Sequence, residues 1–414
     1  MSTRAPLRHW RTGSLKRGIA GGMAFAMGHL GRRAPEVWVF GNYLGFRDNP
    51  RYLAEHLLSD HPDLEVWWIA HSDDDARDAA AAGLHVARRD DASGARIQRR
   101  AGVAFLCNGF MDLDLPRLGG AFLVDLRHGK GLKRVLFDKA DPDTGLAGRA
   151  RRWLLQRQLD QIDMIVAPGD RARSWYATAF RGRVSRIRVL GTPRFDVIQG
   201  GPAFERVGGP TLRSRLGLSE DSHVVVWLPT WRELGDASWL PPRPARSVTR
   251  HLDAGDTVLL VKPHAYSDPD LFRQRIPDHP RVRILDSQGV DVNALLRVSD
   301  ALVTDYSSVA FDYAILQRPI HFFAPDARTY ADVRDLYEPY DSFTRGRHHV
   351  TWDSLLSVLG RAERGTDHQA VEMARFIYRY AGLRDEPGSS ERIATDVRRS
   401  IGFEHARIPT GPAR

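Results

Sequence analysis

Apolar residues fall along this chain in two alternating rhythms. Short continuous apolar runs give way to longer stretches in which apolar positions recur every three or four residues. The first rhythm belongs to strands buried on both faces, the second to helices with one apolar face. Strands are expected at Val37–Phe40, Glu65–Ala70, Val103–Cys107, Ala121–Leu126, Met164–Ala167 and Ile187–Leu190. After Pro210 they recur at Val224–Leu228, Thr257–Val261, Val282–Leu285, Ala301–Thr304 and Ile320–Phe323. Helices are expected between them at Pro50–Ser59, Asp74–Ala82, Arg149–Asp163, Val292–Ser299 and Ser308–Gln317. Repeated strand-then-helix units predict an α/β fold with parallel sheets covered by helices. The glycine- and proline-rich stretch 199–210 reads as a linker. This divides the chain into a domain over 36–198, a domain over 211–385 and a C-terminal helix and tail over 386–414. Two α/β halves joined by a linker predict a cleft where a substrate sits.

The first 35 residues stand apart. They carry Arg4, Arg8, Arg11, Lys16, Arg17, Arg32 and Arg33 and no acid, around the apolar stretch Ile19–Leu30. That stretch is shorter than the ~20 residues a spanning helix needs. Basic flanks on a short apolar segment fit a segment lying on an anionic membrane surface; a disordered basic tail or a signal peptide are the competing readings. Over the whole chain, 60 basic against 51 acidic residues leave a net charge of +9, so an anionic partner is expected. A single cysteine, Cys107, excludes a disulfide framework and a cysteine-built zinc site, and fits a reducing compartment.

Ligands of open parallel sheets bind beyond the carboxyl ends of the strands. The residues that follow the expected strands are Arg127-His128-Gly129-Lys130, Gly191-Thr192-Pro193-Arg194, Pro229-Thr230-Trp231-Arg232, Lys262-Pro263-His264 and Thr304-Asp305-Tyr306-Ser307-Ser308. Cations and hydroxyls collected there suit a diphosphate. Ser307 and Ser308 open a helix, where unpaired N–H groups favour an anion, although Asp305 or Ser307 acting as a simple cap accounts for the same pattern. His128 lies among cations that favour its neutral, proton-accepting form, and glycines at 129 and 131 let a ligand come close. His264 follows a strand directly. No glycine-rich dinucleotide fingerprint or Walker A pattern is present.

Taken together, HGKGLK at His128–Lys133, GTPRFD at Gly191–Asp196, PTWRE at Pro229–Glu233, VKPHAY at Val261–Tyr266 and DVNALLRVSDALVTDYSSVAFDYAILQRP at Asp291–Pro319 resemble the CDP-glycerol glycerophosphotransferase family of teichoic-acid and capsule polymer enzymes. GNYLGFRDNPRYL near the start and SSER at Ser389–Arg392 fit as well. The chain departs from the family pattern at Arg127, Gly131, Thr192 and Ala265. The resemblance implies two Rossmann-like domains facing across a cleft, the GT-B arrangement. It implies transfer of glycerol phosphate, or another alditol phosphate, from a CDP-alditol to a hydroxyl of a lipid-linked or polymer acceptor, with CMP leaving. It assigns His128 and His264 to catalysis, and Lys133, Arg194, Thr230, Arg232, Asp305, Ser307 and Ser308 to substrate binding. No metal site or cofactor is expected, and the place of action is the cytoplasmic face of the membrane.

Two other functions compete. A sugar-nucleotide glycosyltransferase or epimerase shares the architecture and is separated by the donor it turns over. A non-enzymatic binder of anionic polymers accounts for the charge alone. A nucleic-acid partner is not expected, because the basic excess sits in the first 35 residues rather than on one module with interleaved aromatics.

Overall fold

The computed structural model describes residues 32–403, apart from 130, 141–143, 182–183, 233–238, 254–255, 265–266, 286–288, 334, 360–366 and 385. The segment 1–35 therefore lies almost wholly outside the described residues, as does the tail after 403. The chain divides into two compact units. The first takes the described part of Met1–His128, Gln158–Val166 and Ser390–Arg414; the second takes Gly129–Arg157 and Ala167–Ser389.

In the first unit, β1 (Ala34–Phe40), β2 (Glu65–Ala70), β3 (His85–Arg88), β4 (Ala101–Leu106), β5 (Phe122–Asp125) and β6 (Met164–Ala167) lie in the order β3-β2-β1-β4-β5-β6. Every pairing recorded among them is parallel. Val37, Val39, Ile69, Ala104, Leu106 and Leu123 form part of its core. The register sets Phe40 beside Phe105 and Leu106 beside Asp125, so β1, β4 and β5 end together at one edge. β3 was not expected. Its residues HVAR are only partly buried, as befits an outer strand, and so carry no continuous apolar run.

In the second unit, β7 (Ile187–Val189) is followed by the five-stranded sheet of β8 (His223–Leu228), β9 (Thr257–Val261), β10 (Val282–Ile284), β11 (Ala301–Thr304) and β12 (Ile320–Phe322). The order is β10-β9-β8-β11-β12, again parallel throughout. β8, β9, β11 and β12 are buried along their whole length, which is why the first three read as near-continuous apolar runs. Trp227, Phe323 and Trp352 anchor the core on one face. Leu228 pairs with Thr304 and Trp227 with Val261, so the segments after β8, β9 and β11 leave the sheet at the same edge.

Two expected elements come out differently. The stretch 199–210 contains the short helix Pro202–Arg206, started by a proline whose fixed φ suits the first helical turn. The helix expected over Ser308–Gln317 is α-helical only over Val309–Tyr313 and tightens to a 3₁₀ turn at Ala314–Leu316. Gln317 then turns left-handed (φ 50°), and Pro319 disfavours helical geometry at the residue before it.

Candidate functional site

In the first unit the chain beyond β5 carries His128. Arg127 adopts a left-handed φ of 55° and Asp48 one of 61°, both uncommon for residues with a Cβ. The Asn49 side-chain amide donates to the Arg127 carbonyl at 2.7 Å and ties these two turns together. His128 Nδ1 thereby meets Asp48 Oδ2. The Asp48 Oδ1 accepts the Asn49 N–H at 2.8 Å, and the buried Cys107 thiol lies 3.8 Å from Oδ2. Asp48 opens the thirteen-residue helix Asp48–Asp60, where the helix dipole favours a carboxylate. The charged group set directly against His128 is thus an acid. Arg127 pairs with Asp125, Nη1 to Oδ2 at 3.2 Å. Burial pushes the Asp125 carboxyl up against the opposing pull of Arg127. Asp112 supports the same edge: it accepts the N–H groups of Tyr43, Cys107 and Asn108 at 2.6–3.1 Å, and burial raises its pKa to about 6.

In the second unit the segment that follows His128 packs onto the start of the Val309–Tyr313 helix. Gly129 (φ 86°) leaves no room for a Cβ, which would lie 2.5 Å from the Arg194 guanidinium and 3.1 Å from Ser308 Oγ. A Cβ on Gly131 would lie 3.2 Å from the Ser308 backbone nitrogen. The two glycines therefore permit close backbone approach to Ser308 and Arg194. Arg194 is buried and pairs with Asp312, Nε to Oδ1 at 3.1 Å. Two residues on, Asp196 accepts the N–H groups of Gly388 and Ser389 at 3.1 and 2.7 Å.

A second cluster forms around Arg232. Its Nη1 is 2.9 Å from Asp305 Oδ2 and donates to the Thr230 carbonyl at 2.7 Å, while Nε and Nη2 reach the two oxygens of Asp326 at 2.9 and 3.1 Å. Burial pulls the Arg232 pKa down, but Asp305 and Asp326 outweigh it and the net direction is upward. Asp305 also accepts the N–H groups of Thr230 and Tyr306 at 2.9 and 2.7 Å. Asp305 thus ties the loop at Thr230 to its own, and Arg232 bonds to both. The Thr230 hydroxyl is buried and has no hydrogen-bond partner among the described residues. Tyr306 and Tyr330 stack with ring centres 3.7 Å apart; Arg232 lies over both rings and Lys133 Nζ lies 5.6 Å from the Tyr330 centre. Burial, Asp326 and Asp305 push the Tyr306 hydroxyl well above its ordinary value.

Ser307 and Ser308 are half-buried, and Ser307 Oγ accepts the Val309 N–H at a long 3.4 Å. His264 is exposed at the end of β9, its ring centre 6.4 Å from that of Trp231. The second unit thus brings Lys133, Thr230, Arg232 and Asp305 together around Tyr330 and Tyr306, and sets Arg194 and Ser308 each beside Gly129. Sequence reading missed Asp48, Asp326 and the partner role of Asp312. Asp48 and Asp312 lie inside motifs already singled out, GNYLGFRDNPRYL and FDY; nothing local marks Asp326.

A third cluster joins the helices Asp48–Asp60 and Ser389–Ser400. Glu391 Oε2 lies 2.9 Å from His61 Nε2 and 3.2 Å from His56 Nε2, and His56 Nδ1 lies 2.8 Å from Asp60. The Arg398 guanidinium faces His61 Nδ1 at 3.2 Å, which makes Nδ1 the acceptor and puts the imidazole proton on Nε2, toward Glu391. That tautomer makes a docking clamp rather than a metal-ligand set.

The model of the CDP-glycerol:poly(glycerophosphate) glycerophosphotransferase family matches residues 25–399. The chain belongs to this family. Within it, the chain is 26% identical over 375 residues to a teichoic acid poly(glycerol phosphate) polymerase of Staphylococcus epidermidis, covering 89% of this chain and 51% of that protein. It is 28% identical over 226 residues to the teichoic acid ribitol-phosphate polymerase TarK of Staphylococcus aureus, covering 54% of this chain and 42% of that protein. The chain spans about half the length of the curated relatives it matches. Among solved structures, the wall teichoic acid polymerase TagF superposes with a TM-score of 0.73 at 22% identity, covering 94% of each chain. A putative UDP-N-acetylglucosamine 2-epimerase from Listeria monocytogenes reaches 0.51 at 14% identity, covering 89% of this chain and 97% of that one. The α/β fold with parallel sheets is therefore the one these glycerophosphotransferase-family and sugar-nucleotide proteins share.

Proposed function

We propose that this family member transfers glycerol phosphate, or a related alditol phosphate, from a CDP-alditol to a hydroxyl of a lipid-linked or polymer acceptor. The observation that carries the reading is the close packing of Gly129, Gly131, Arg194 and Ser308 beside strand ends that also bring Thr230, Arg232 and Asp305 together, in a chain of this family. The acceptor oxygen attacks the phosphorus that carries the alditol. The bond from that phosphorus to the CMP oxygen breaks, CMP leaves, and the acceptor proton passes to His128. Ser307, Ser308, Thr230 and His264 hold the diphosphate, and Arg194 and Lys133 add positive charge nearby. Transfer of this type depends mainly on positioning and charge neutralisation.

The protein acts, on this reading, at the cytoplasmic face of a membrane without spanning it. No described helix is long and apolar enough to cross a membrane. Besides the basic segment at residues 1–35, the helix Leu146–Leu159 supports surface binding. It carries Arg149, Arg151, Arg152 and Arg157 and no acid, and exposes Leu146 (83%), Trp153 (58%) and Leu154 (38%). Cations beside exposed apolar side chains suit an anionic lipid surface.

The deciding experiment incubates the purified protein with CDP-glycerol, CDP-ribitol and UDP-sugars, each with a lipid acceptor ending in glycerol phosphate. CMP release with a CDP-alditol supports the reading. UDP release alone replaces it with sugar-nucleotide chemistry.

A further inference from the structure

We infer that Asp48 is a positioning residue that fixes the tautomer and orientation of His128. The inference rests on the reading of His128 as the base. Asp48 Oδ2 meets His128 Nδ1, so an ionised Asp48 accepts the Nδ1 proton and Nε2 becomes the basic nitrogen. The carboxylate is itself held. Oδ1 takes the Asn49 N–H, the Cys107 thiol stands at Oδ2, and the N-terminus of a thirteen-residue helix favours its charge. The Asp48 side chain is 11% exposed, whereas that of His128 is 58% exposed. The pair thus has a sheltered acid behind an imidazole that solvent and substrate reach.

The backbone gives an independent sign. Asp48 and Arg127 each occupy the left-handed region, and strained residues of this kind persist where surrounding contacts over-determine them. Here the Asn49 amide bonds the Arg127 carbonyl and joins the two turns. The turn at Arg127 presents His128, and the turn at Asp48 presents the carboxylate. In the serine-protease triad an aspartate does the same for its histidine, and its replacement by Asn lowers turnover through the wrong tautomer.

Asp48→Asn is the informative variant, because Asn tolerates the left-handed backbone as well as Asp does. With CDP-glycerol and the glycerol-phosphate lipid acceptor, kcat should fall about 10²- to 10⁴-fold while the donor KM stays within about threefold. The acid limb of the pH–rate profile should move to lower pH, since an anionic neighbour of the imidazolium is removed. The double variant D48N/H128A should be no slower than H128A, because the two residues act as a unit. Nitrogen-15 spectra of histidine-labelled protein read the tautomer without any turnover: wild type should show the proton on Nδ1 of His128, and D48N should lose that preference. If His128 shows the same tautomer in D48N and kcat is unchanged, the inference is overturned. If H128A keeps more than about a tenth of wild-type turnover, the base reading fails, and the nitrogen spectra still decide the Asp48–His128 pairing.

Discussion

Arg194 and Asp312 form an ion pair inside the second unit, Nε to Oδ1 at 3.1 Å, with both side chains less than one tenth exposed. The pair joins two sequence motifs 118 positions apart, GTPRFD and FDY. It also sets the guanidinium against Gly129. Removing one partner of a buried pair leaves an uncompensated charge, which costs about 3–5 kcal/mol. Arg194→Met is therefore expected to lower the urea midpoint of unfolding sharply. Arg194→Met with Asp312→Leu should recover part of the loss. A double variant as unstable as the sum of the two single ones would show that the pair is not coupled.

Ser307 and Ser308 are assigned to the donor diphosphate. Changing both to Ala should weaken CDP-glycerol binding by about 1–3 kcal/mol if two ligand hydrogen bonds are lost. Alanine is smaller than serine, so the close packing of Gly129 and Gly131 on Ser308 survives the change. Isothermal titration of a folded double variant gives the answer. Unchanged affinity would leave Ser307 with its long bond to Val309 and no role in binding.

His264 follows β9 in the same unit as Thr230, Ser307 and Ser308, the residues proposed to hold the donor. His264→Ala should raise the donor Kd as well as lower turnover. His128→Ala should lower turnover by about 10²–10⁴ with donor affinity near wild type. Equal effects of the two changes on donor affinity, measured by titration, would contradict this division of labour.

Acid should loosen the clamp between the helices Asp48–Asp60 and Ser389–Ser400. Burial holds the His61 pKa below its ordinary 6.5, Arg398 and His56 add to that, and Glu391 opposes it. Burial pushes the Glu391 carboxyl up, but its bonds from His61 and His56 outweigh this and leave it below its ordinary 4.5. Both folded-state values are depressed, so both contributions are present at neutral pH and are lost on acidification. The His61 share goes as pH falls below about 6.5 and the Glu391 share below about 4.5. Melting temperature should accordingly drop in two stages between pH 7 and pH 3.5. Glu391→Gln should flatten the lower stage and His61→Asn the upper one; a wild-type profile in either variant would discard that assignment.

The helix Leu146–Leu159 should contribute to membrane binding independently of residues 1–31. Trp153→Ala with Leu154→Ala is expected to reduce partitioning onto phosphatidylglycerol vesicles by roughly tenfold or more, from the apolar area no longer buried. Neutralising Arg149, Arg151 and Arg157 should reduce it further and weaken its salt dependence, at about 1 kcal/mol per charge. Vesicle sedimentation reads both. If deleting residues 1–31 abolishes pelleting and the helix variants leave it unchanged, the basic segment alone is the anchor.

The alternation of strand and helix, all but one of the strands and the strand-end motifs were legible in the sequence. A strand buried on both faces of a parallel sheet must be apolar at nearly every position, so β8, β9 and β11 declare themselves as unbroken runs. Among the strands only the half-buried β3 went unseen, since an outer strand needs no such run; helices such as Ala92–Arg100 and His368–Ala381 went unseen as well. Which charges meet was decided by the tertiary structure. Asp48 lies 80 residues before His128, and Asp326 lies 94 after Arg232. No local pattern encodes those meetings; parallel order brings distant strand ends to one edge. Thus His128, read from its neighbours as a histidine among cations, faces a carboxylate. Arg232, read as a cation for the diphosphate, is tied to Asp305 and Asp326. Chain neighbours announce a residue's type and its place at a strand end, while register and strand order choose its electrostatic partner.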